Sequence, residues 1–275
     1  MIIAHLTDSH IGLDLSVLGG PIDPAEALRR ALIHVRRLNP APQVLLMTGD
    51  MTNSGCPHEY ATMVELLDEE LGAARKRGLR VLFVPGNHGD RGFARQALQQ
   101  YMPVADEAPP GECICVTMAV GGLHFIGLDT VQPGHPHGAL DREQLDWLAR
   151  ALERRAGQPV VLFMHHPPII TGIEAMDHFG LLRGRAELTR LVRAHGGVQL
   201  IACGHVHRPV ISVLGGAPVV IAPSTGHQLE LDLRPGAPLA VRLEPPMIGV
   251  YRWTPDDGMA CHFAHVQAFQ GPFLV

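Results

Sequence analysis

Two histidines at i and i+2, in Gly204-His205-Val206-His207, close an apolar run, Val198-Gln199-Leu200-Ile201-Ala202-Cys203. The run reads as a short buried strand. In a continuing strand the two rings would share a face, whereas in a turn they can diverge and serve two centres. Four other apolar runs end in polar blocks of the same kind. Ile2-Ile3-Ala4-His5-Leu6-Thr7 leads into Asp8-Ser9-His10, and Val44-Leu45-Leu46-Met47-Thr48 into Gly49-Asp50. Val81-Leu82-Phe83-Val84-Pro85 leads into Gly86-Asn87-His88, and Val160-Val161-Leu162-Phe163-Met164 into His165-His166. Carboxylates, imidazoles and an amide oxygen, with no thiolate, suit Fe, Mn, Zn or Co better than a structural zinc site. Each block alone has an ordinary explanation. Asp8 and Asp50 could cap helices, Asn87-His88 could be a turn after Pro85-Gly86, and His165 could be a satisfied core histidine. The joint order D-x-H, G-D, G-N-H, H and G-H-x-H is what points to a metal site.

The elements that must carry these blocks follow from the patterning. Ligands in α/β folds gather at the carboxyl ends of strands, so five such ends give one rim lined with oxygen and nitrogen. Asp23-Pro24-Ala25-Glu26 is a helix start, with Leu28, Leu32, Val35 and Leu38 on one face. Further helices are predicted over 57–77 (closed by Gly78), 91–101, 141–156 and 185–195. Residues 113–120 and 123–129 straddle Gly121-Gly122 as a hairpin. The segments 131–138 and 167–184 read as loops, the second long enough to be a lid. From Pro209 onward only short strands are predicted: 210–214, 218–221, 229–233, 239–243, 249–253 and 259–265. Helix–strand alternation followed by strands implies an α/β (α+β layered) fold, a two-sheet β-sandwich flanked by helices. Residues 1–234 form the expected catalytic domain. Residues 235–275 are either part of it or a small cap or oligomerisation element, which leaves a homo-oligomer open.

Composition narrows the function. The 275 residues allow one large or two small domains. With 46% hydrophobic and 18% charged residues the chain fits a compact soluble protein. A formal net charge of −5 offers no broad basic face to duplex nucleic acid. Seventeen histidines are many for this length, and metal binding is one use for neutral imidazoles. The five cysteines lack C-x-x-C spacing, so no zinc site or disulfide framework is indicated; a Cys56–Cys261 pair is left open. The first strand begins at once, without a signal-like segment, and no run of about twenty apolar residues occurs. No membrane span and a cytoplasmic location are expected.

The five blocks resemble the calcineurin-like metallophosphoesterase superfamily, and within it the class III cyclic nucleotide phosphodiesterases and related bacterial glycerophosphodiesterases. The resemblance runs from Asp8 to His207 and on through Ala222-Pro223-Ser224-Thr225. It departs at Gly89, where family members carry an acidic residue after G-N-H; Asp90 is the nearest substitute. The resemblance implies the αββα metallophosphoesterase fold and two divalent transition-metal ions bridged by Asp50. One ion would take Asp8, His10, Asp50 and His207, the other Asp50, Asn87, His165 and His205. Such pairs, about 3.5–4 Å apart, clamp a phosphoryl group while a bridging hydroxide attacks in line. Asp50 and His88 would be the catalytic residues, with His88 stabilising charge or protonating the leaving oxygen. Asn87 and His88 would also bind substrate, with Arg91 and His178 as weaker candidates. His166 is assigned a supporting role and His227 a weak substrate-side one, while His5 is assigned to surface or structure.

Three function classes compete on this evidence. The first is a phosphodiesterase acting on small phosphodiesters: glycerophosphodiesters, cyclic nucleotides or phosphonate monoesters. The second is a phosphomonoesterase, protein phosphatase or nuclease of the same superfamily. Phosphatases of that kind carry G-D-x-x-D-R-G and G-N-H-E, where this chain has Gly49-Asp50-Met51-Thr52-Asn53-Ser54-Gly55 and Gly86-Asn87-His88-Gly89. The third, a non-catalytic scaffold, should lack ligands, and none is missing here.

Overall fold

Residues 1–14, 23–102, 108–271 and 273 are described by a computed structural model. The first half contains β1 (Ile2–Leu6), α1 (Pro24–Arg37), β2 (Val44–Thr48), α2 (Pro57–Lys76), β3 (Arg80–Val84), α3 (Arg91–Ala97), β4 (Val116–Val120) and β5 (Leu123–Leu128). The middle contains β6 (Gly138–Ala139), α4 (Arg142–Glu153), β7 (Val160–Met164), α5 (Glu174–Asp177), β8 (Leu181–Arg183), α6 (Arg185–His195) and β9 (Val198–Cys203). The chain closes with β10 (Val210–Leu214), β11 (Ala217–Ile221), β12 (Gln228–Leu229), β13 (Val241–Arg242), β14 (Met247–Thr254) and β15 (Gly258–His265).

Continuous apolar strands need cover on both faces. Every residue of β2 and of β7 is buried, and two main sheets provide the cover. One has the order β15-β14-β1-β2-β3, the other β10-β11-β9-β7-β5-β4. Alternate side chains of each strand serve two different cores. Ile3, Val44, Leu46, Leu82 and Val84 meet Phe125, Val161, Phe163 and Leu200 between the sheets. Ala4, Leu6, Leu45 and Met47 face the other way and pack with Leu28 and Leu32 of α1 and Met63 and Leu67 of α2. Leu162 and Ile201 likewise pack with Trp147 and Leu148 of α4 and Leu188 of α6. The result is a helix–sheet–sheet–helix sandwich. Each fully buried side chain of this size contributes about 1.5–3 kcal/mol relative to exposure.

Local signals explain several helix starts. Asp23 accepts from Ala25 N and Glu26 N at 2.9 and 3.3 Å, with Pro24 at the first helical position. Asp141 and Gln144 form a reciprocal capping box on α4. The predicted helix over 91–101 stops at Ala97, followed by turn, and 113–120 is strand only from Val116. The strands expected over 229–233 and 239–243 shrink to β12 and β13, because Leu231, Leu233, Leu239 and Leu243 stay exposed. The C-terminal strands are built into the sandwich: β14 runs antiparallel to β1, with Ile3 opposite Tyr251. All five cysteines are free thiols, so the Cys56–Cys261 pair left open by the sequence does not form. No helix among the described residues is long and apolar enough to cross a membrane.

Candidate metal centre

β1, β2 and β3 run parallel in one sheet, as do β5, β7 and β9 in the other. The five blocks follow the carboxyl ends of β1, β2, β3, β7 and β9. Among the described residues, the non-glycine positions with left-handed φ are Asp8 (54°), His10 (49°), Asp50 (48°), His205 (73°) and His207 (53°). Each such conformation costs on the order of 1–3 kcal/mol and persists only where the surroundings over-determine it. Here the loops are pinned to one another. Asp8 N donates to Gly49 O at 3.0 Å and His10 N to Asp50 O at 2.9 Å. His205 N and Thr7 Oγ1 donate to Asp8 Oδ2 at 2.9 and 2.7 Å, and His88 N donates to Asp50 Oδ1 at 2.9 Å. Glycine is required at two of these junctions. A Cβ on Gly86 would lie 2.1 Å from Asp50 Oδ1, and one on Gly204 would lie 2.0 Å from Thr7 Oγ1.

The side chains converge as two overlapping sets. His207 Nε2 lies 3.3 Å from Asp8 Oδ1 and 3.1 Å from His10 Nε2. His165 Nε2 lies 3.2 Å from Asp50 Oδ2, 3.0 Å from Asn87 Oδ1 and 3.1 Å from His205 Nδ1. Asp50 Oδ2 also faces His10 Nε2 at 3.9 Å, so one carboxylate touches both sets. Asp8, His10, Asp50, His165, His205 and His207 are buried, and Asn87 is half-buried. Backbone carbonyls choose the tautomers of two rings. His165 Nδ1–H donates to Thr48 O at 2.7 Å and His207 Nδ1–H to His227 O at 3.0 Å. Both rings therefore turn Nε2 inward, the arrangement by which a metal-ligating histidine is oriented from behind.

Protonation follows from burial and charge. Burial opposes ionisation of Asp50, but His165 beside it holds the carboxyl well below the usual range. Asp8 is held low in the same way by His207. Burial, with neighbouring His207, lowers His10 to about 4. Burial, with His165 beside it, lowers His205 to about 3. His165 is the exception: burial pushes it down, yet the Asp50 carboxylate outweighs that and raises it to about 9. Ionised carboxylates and mostly neutral imidazoles are the forms that bind metals.

These residues fit a pair of cations. Two donors held 2.0–2.2 Å from one ion at near right angles lie about 3 Å apart, which is the spacing of the donor pairs here. Asp8 Oδ1 and His205 Nε2 are buried without a hydrogen-bond partner. Buried polar atoms are normally satisfied, and a cation is one way to satisfy a carboxylate oxygen such as Asp8 Oδ1.

The remaining candidates divide. His88 is exposed at the rim; its Nδ1–H donates to Asn53 O at 2.8 Å, and its ring stands edge-on to His10 at 4.8 Å. His166 lies beside His165 and His205 and has both nitrogens engaged, Nδ1 with Thr130 Oγ1 at 2.8 Å and Nε2 with Pro136 O at 3.1 Å. His5 links Tyr251 and Thr48 by hydrogen bonds of 2.8 and 2.7 Å and braces the loop from behind. No hydrogen bond or ion pair joins Arg91 or His178 to the cluster among the described residues. Arg91 makes a two-pronged pair with Asp129 at 2.6 and 3.0 Å and a third bond to Val131 O. His178, its side chain 72% exposed, faces Glu174. His227, rated weak from sequence, sits inside the cluster. Its ring lies 4.6 Å from that of His207 and 5.5 Å from that of His10, and its Nδ1 is buried without a partner. Ser224 anchors this turn by donating to Asp8 O at 2.6 Å and accepting from His227 N at 3.3 Å. The polar run Ser224-Thr225-Gly226-His227 after β11 was its signal.

The family model of the calcineurin-like phosphoesterases matches residues 1–209. The chain belongs to this family. Relatives match over most of the chain. A probable glycerophosphodiester phosphodiesterase from Arcobacter nitrofigilis is 31% identical over 99% of this chain and 96% of its own. A cAMP/cGMP dual specificity phosphodiesterase from Mycobacterium tuberculosis is 32% identical over 86% of this chain and 70% of its own. Among solved structures, a dimetal phosphatase from Danio rerio shares the fold with a TM-score of 0.64, at 13% identity over 97% of this chain and 99% of that one.

Proposed function

We propose that the rim holds two divalent transition-metal ions (Fe, Mn, Zn or Co) and hydrolyses small phosphodiesters. Asp8, His10, Asp50 and His207 hold one ion; Asp50, Asn87, His165 and His205 hold the other. The observation that carries this reading is the single carboxylate Asp50, placed 3.2 Å from His165 Nε2 and 3.9 Å from His10 Nε2 between two ligand sets. Bound there, the ions supply Lewis acidity and activation of water.

The chain's own residues do the rest. Asn53 O fixes the His88 proton on Nδ1, which leaves Nε2 as the other nitrogen of a ring placed beside His10 and Asp50. From there His88 stabilises developing charge or, when protonated, hands a proton to the leaving oxygen, an effect of roughly a hundred- to ten-thousandfold. His227 contributes a buried ring beside His207, with its Nδ1 unpartnered.

Substrate charge supports diesters over monoesters. A monoester carries close to two negative charges and a diester one, so a monoester needs cationic groups beyond the metals. The arginines nearest the blocks in sequence are both committed. Arg91 is paired with Asp129, and Arg208 with Glu244 at 3.2 Å and with Leu229 O. Glycerophosphodiesters and cyclic nucleotides are the substrates of the named relatives, and we carry that class over to this chain together with phosphonate monoesters. Duplex nucleic acid is not a substrate on this reading, and the five free thiols suit a reducing cytoplasm. The test is kcat/KM for bis-p-nitrophenyl phosphate against p-nitrophenyl phosphate with the same metal, followed by cyclic AMP and glycerophosphoethanolamine. A clear preference for the monoester overturns the assignment in favour of a phosphomonoesterase.

A further inference from the structure

His88 is exposed, and an exposed imidazole ordinarily turns freely and populates both tautomers. Here one contact, Nδ1–H to Asn53 O at 2.8 Å, fixes the ring. Asn53 lies in the loop between β2 and α2. The near half of that loop is tied to the loop after β1, with Ile11 N donating to Met51 O at 3.0 Å and Asn53 N to Ile11 O at 2.9 Å. The far half is held by one buried side chain, Glu59 in the first turn of α2. Its Oε2 accepts from Ser54 N at 2.9 Å and Gly55 N at 3.0 Å, and its Oε1 accepts from Ser54 Oγ at 2.7 Å.

Glu59 is 9% exposed, and among the described residues no arginine, lysine or histidine pairs with it. A buried carboxylate without a cation is expensive unless its hydrogen bonds compensate. The three donors do so, and all three belong to the loop that presents Asn53. Two glycines admit the carboxylate and the loop. A Cβ on Gly12 would lie 2.2 Å from Glu59 Oε1, and one on Gly55 would lie 2.7 Å from Asp90 N and 3.1 Å from His88 O. Asp90, the acid nearest Gly89, is engaged elsewhere: it caps α3 by accepting from Phe93 N at 2.9 Å.

We propose that Glu59 is a positioning residue for His88. By holding Ser54 and Gly55 it fixes the Asn53 carbonyl, and through it the orientation and tautomer of the His88 ring. The inference rests on the role given to His88 above, and its test separates the two.

Zinc-loaded wild type, Glu59→Ala, Glu59→Gln, His88→Ala and the Glu59→Ala/His88→Ala double variant are compared by zinc content, by long-range proton–nitrogen NMR of the histidine rings, and by kcat on a diester with a poor leaving group. Wild type should show His88 protonated on Nδ1. Glu59→Ala should keep two zinc ions, show a mixed His88 tautomer, and turn over about tenfold more slowly, a part of the roughly hundred- to ten-thousandfold that an acid–base group supplies. Glu59→Gln, whose amide oxygen can still accept from both backbone N–H groups, should restore the tautomer and most of the rate. In the His88→Ala background the Glu59 substitution should cost nothing further, since the two changes act on one group. An unchanged His88 tautomer in Glu59→Ala, or a rate loss that adds to that of His88→Ala, overturns the inference. Should Glu59→Ala not fold, Glu59→Asp carries the same readouts, with the charge kept and the reach one methylene shorter. If His88→Ala has normal turnover, the role of His88 fails, whereas the NMR result still decides whether Glu59 orients it.

Discussion

Metal binding at the His165 position should compete with a proton. Asp50 Oδ2 lies 3.2 Å from His165 Nε2, and the Asp50 carboxylate raises His165 to about 9 against the burial of its ring. In protein stripped of metal, the ring should therefore carry a proton at pH 7 on the nitrogen proposed to ligate. The competition spans about two pH units, each worth about 1.4 kcal/mol, so affinity at pH 7 should be roughly a hundredfold below its limiting value. It should climb about tenfold per unit and level off near pH 9. Asp50→Asn removes the carboxylate and leaves burial in command, so the ring should titrate below the ordinary value of 6.5. The assay is an NMR pH titration of His165 in metal-free wild type and Asp50→Asn, with zinc affinity measured from pH 6 to 9. A wild-type midpoint at or below 6.5, or a midpoint that Asp50→Asn leaves in place, refutes the reasoning.

Asn87→Ala should weaken mainly one of the two bound ions, since Asn87 Oδ1 touches the His165 set alone, whereas Asp50→Ala should weaken both; metal titrations of each variant check this. His88→Ala should retain both ions and lose about a hundred- to ten-thousandfold in rate on a poor leaving group, and stoichiometric loss of metal would instead make His88 a ligand. The metal-free protein should lose stability in mild acid. Burial, aided or opposed by neighbouring charges, holds His5 and His205 near 3 and His10 near 4 in the fold. Folded values below the unfolded 6.5 mean that the unfolded chain binds more protons, so this stability is present above pH 6.5 and drains away as pH falls toward 4. At pH 5 each such group contributes a loss of up to about 2 kcal/mol; a Tm of metal-free protein equal or higher at pH 5 than at pH 7 contradicts it.

Much of this was legible because the proposed ligands are side chains of distinctive type placed where strands end. Asp8, His10, Asp50, Asn87, His165, His205 and His207 could be picked out as polar blocks closing apolar runs and by their family resemblance, and the sandwich by helix–strand alternation followed by a run of strands. Helix starts were legible where the cap is a side chain, as at Asp23 and Asp141. What escaped depends on the backbone or on distant partners. The Asn53 carbonyl that orients His88 leaves no mark in residue type. His227 enters the centre because its own carbonyl receives the His207 ring, twenty residues away. Arg91 looked available beside Gly86-Asn87-His88, yet its partner, Asp129, is thirty-eight residues off. The alternating leucines of 229–243 mimic strands, but most of them stay exposed, with nothing packed over them to make the pattern a sheet.

The most direct test of a shared-carboxylate dimetal centre is activity on bis-p-nitrophenyl phosphate followed while metal-free protein is titrated with manganese or cobalt, with bound metal counted in parallel. Two ions per chain should bind, and activity should rise to a plateau only as the second site fills. In Asp50→Ala neither ion should be retained through dialysis. Full activity in protein with no more than trace metal, unaffected by chelators and by added manganese or cobalt, would contradict the account.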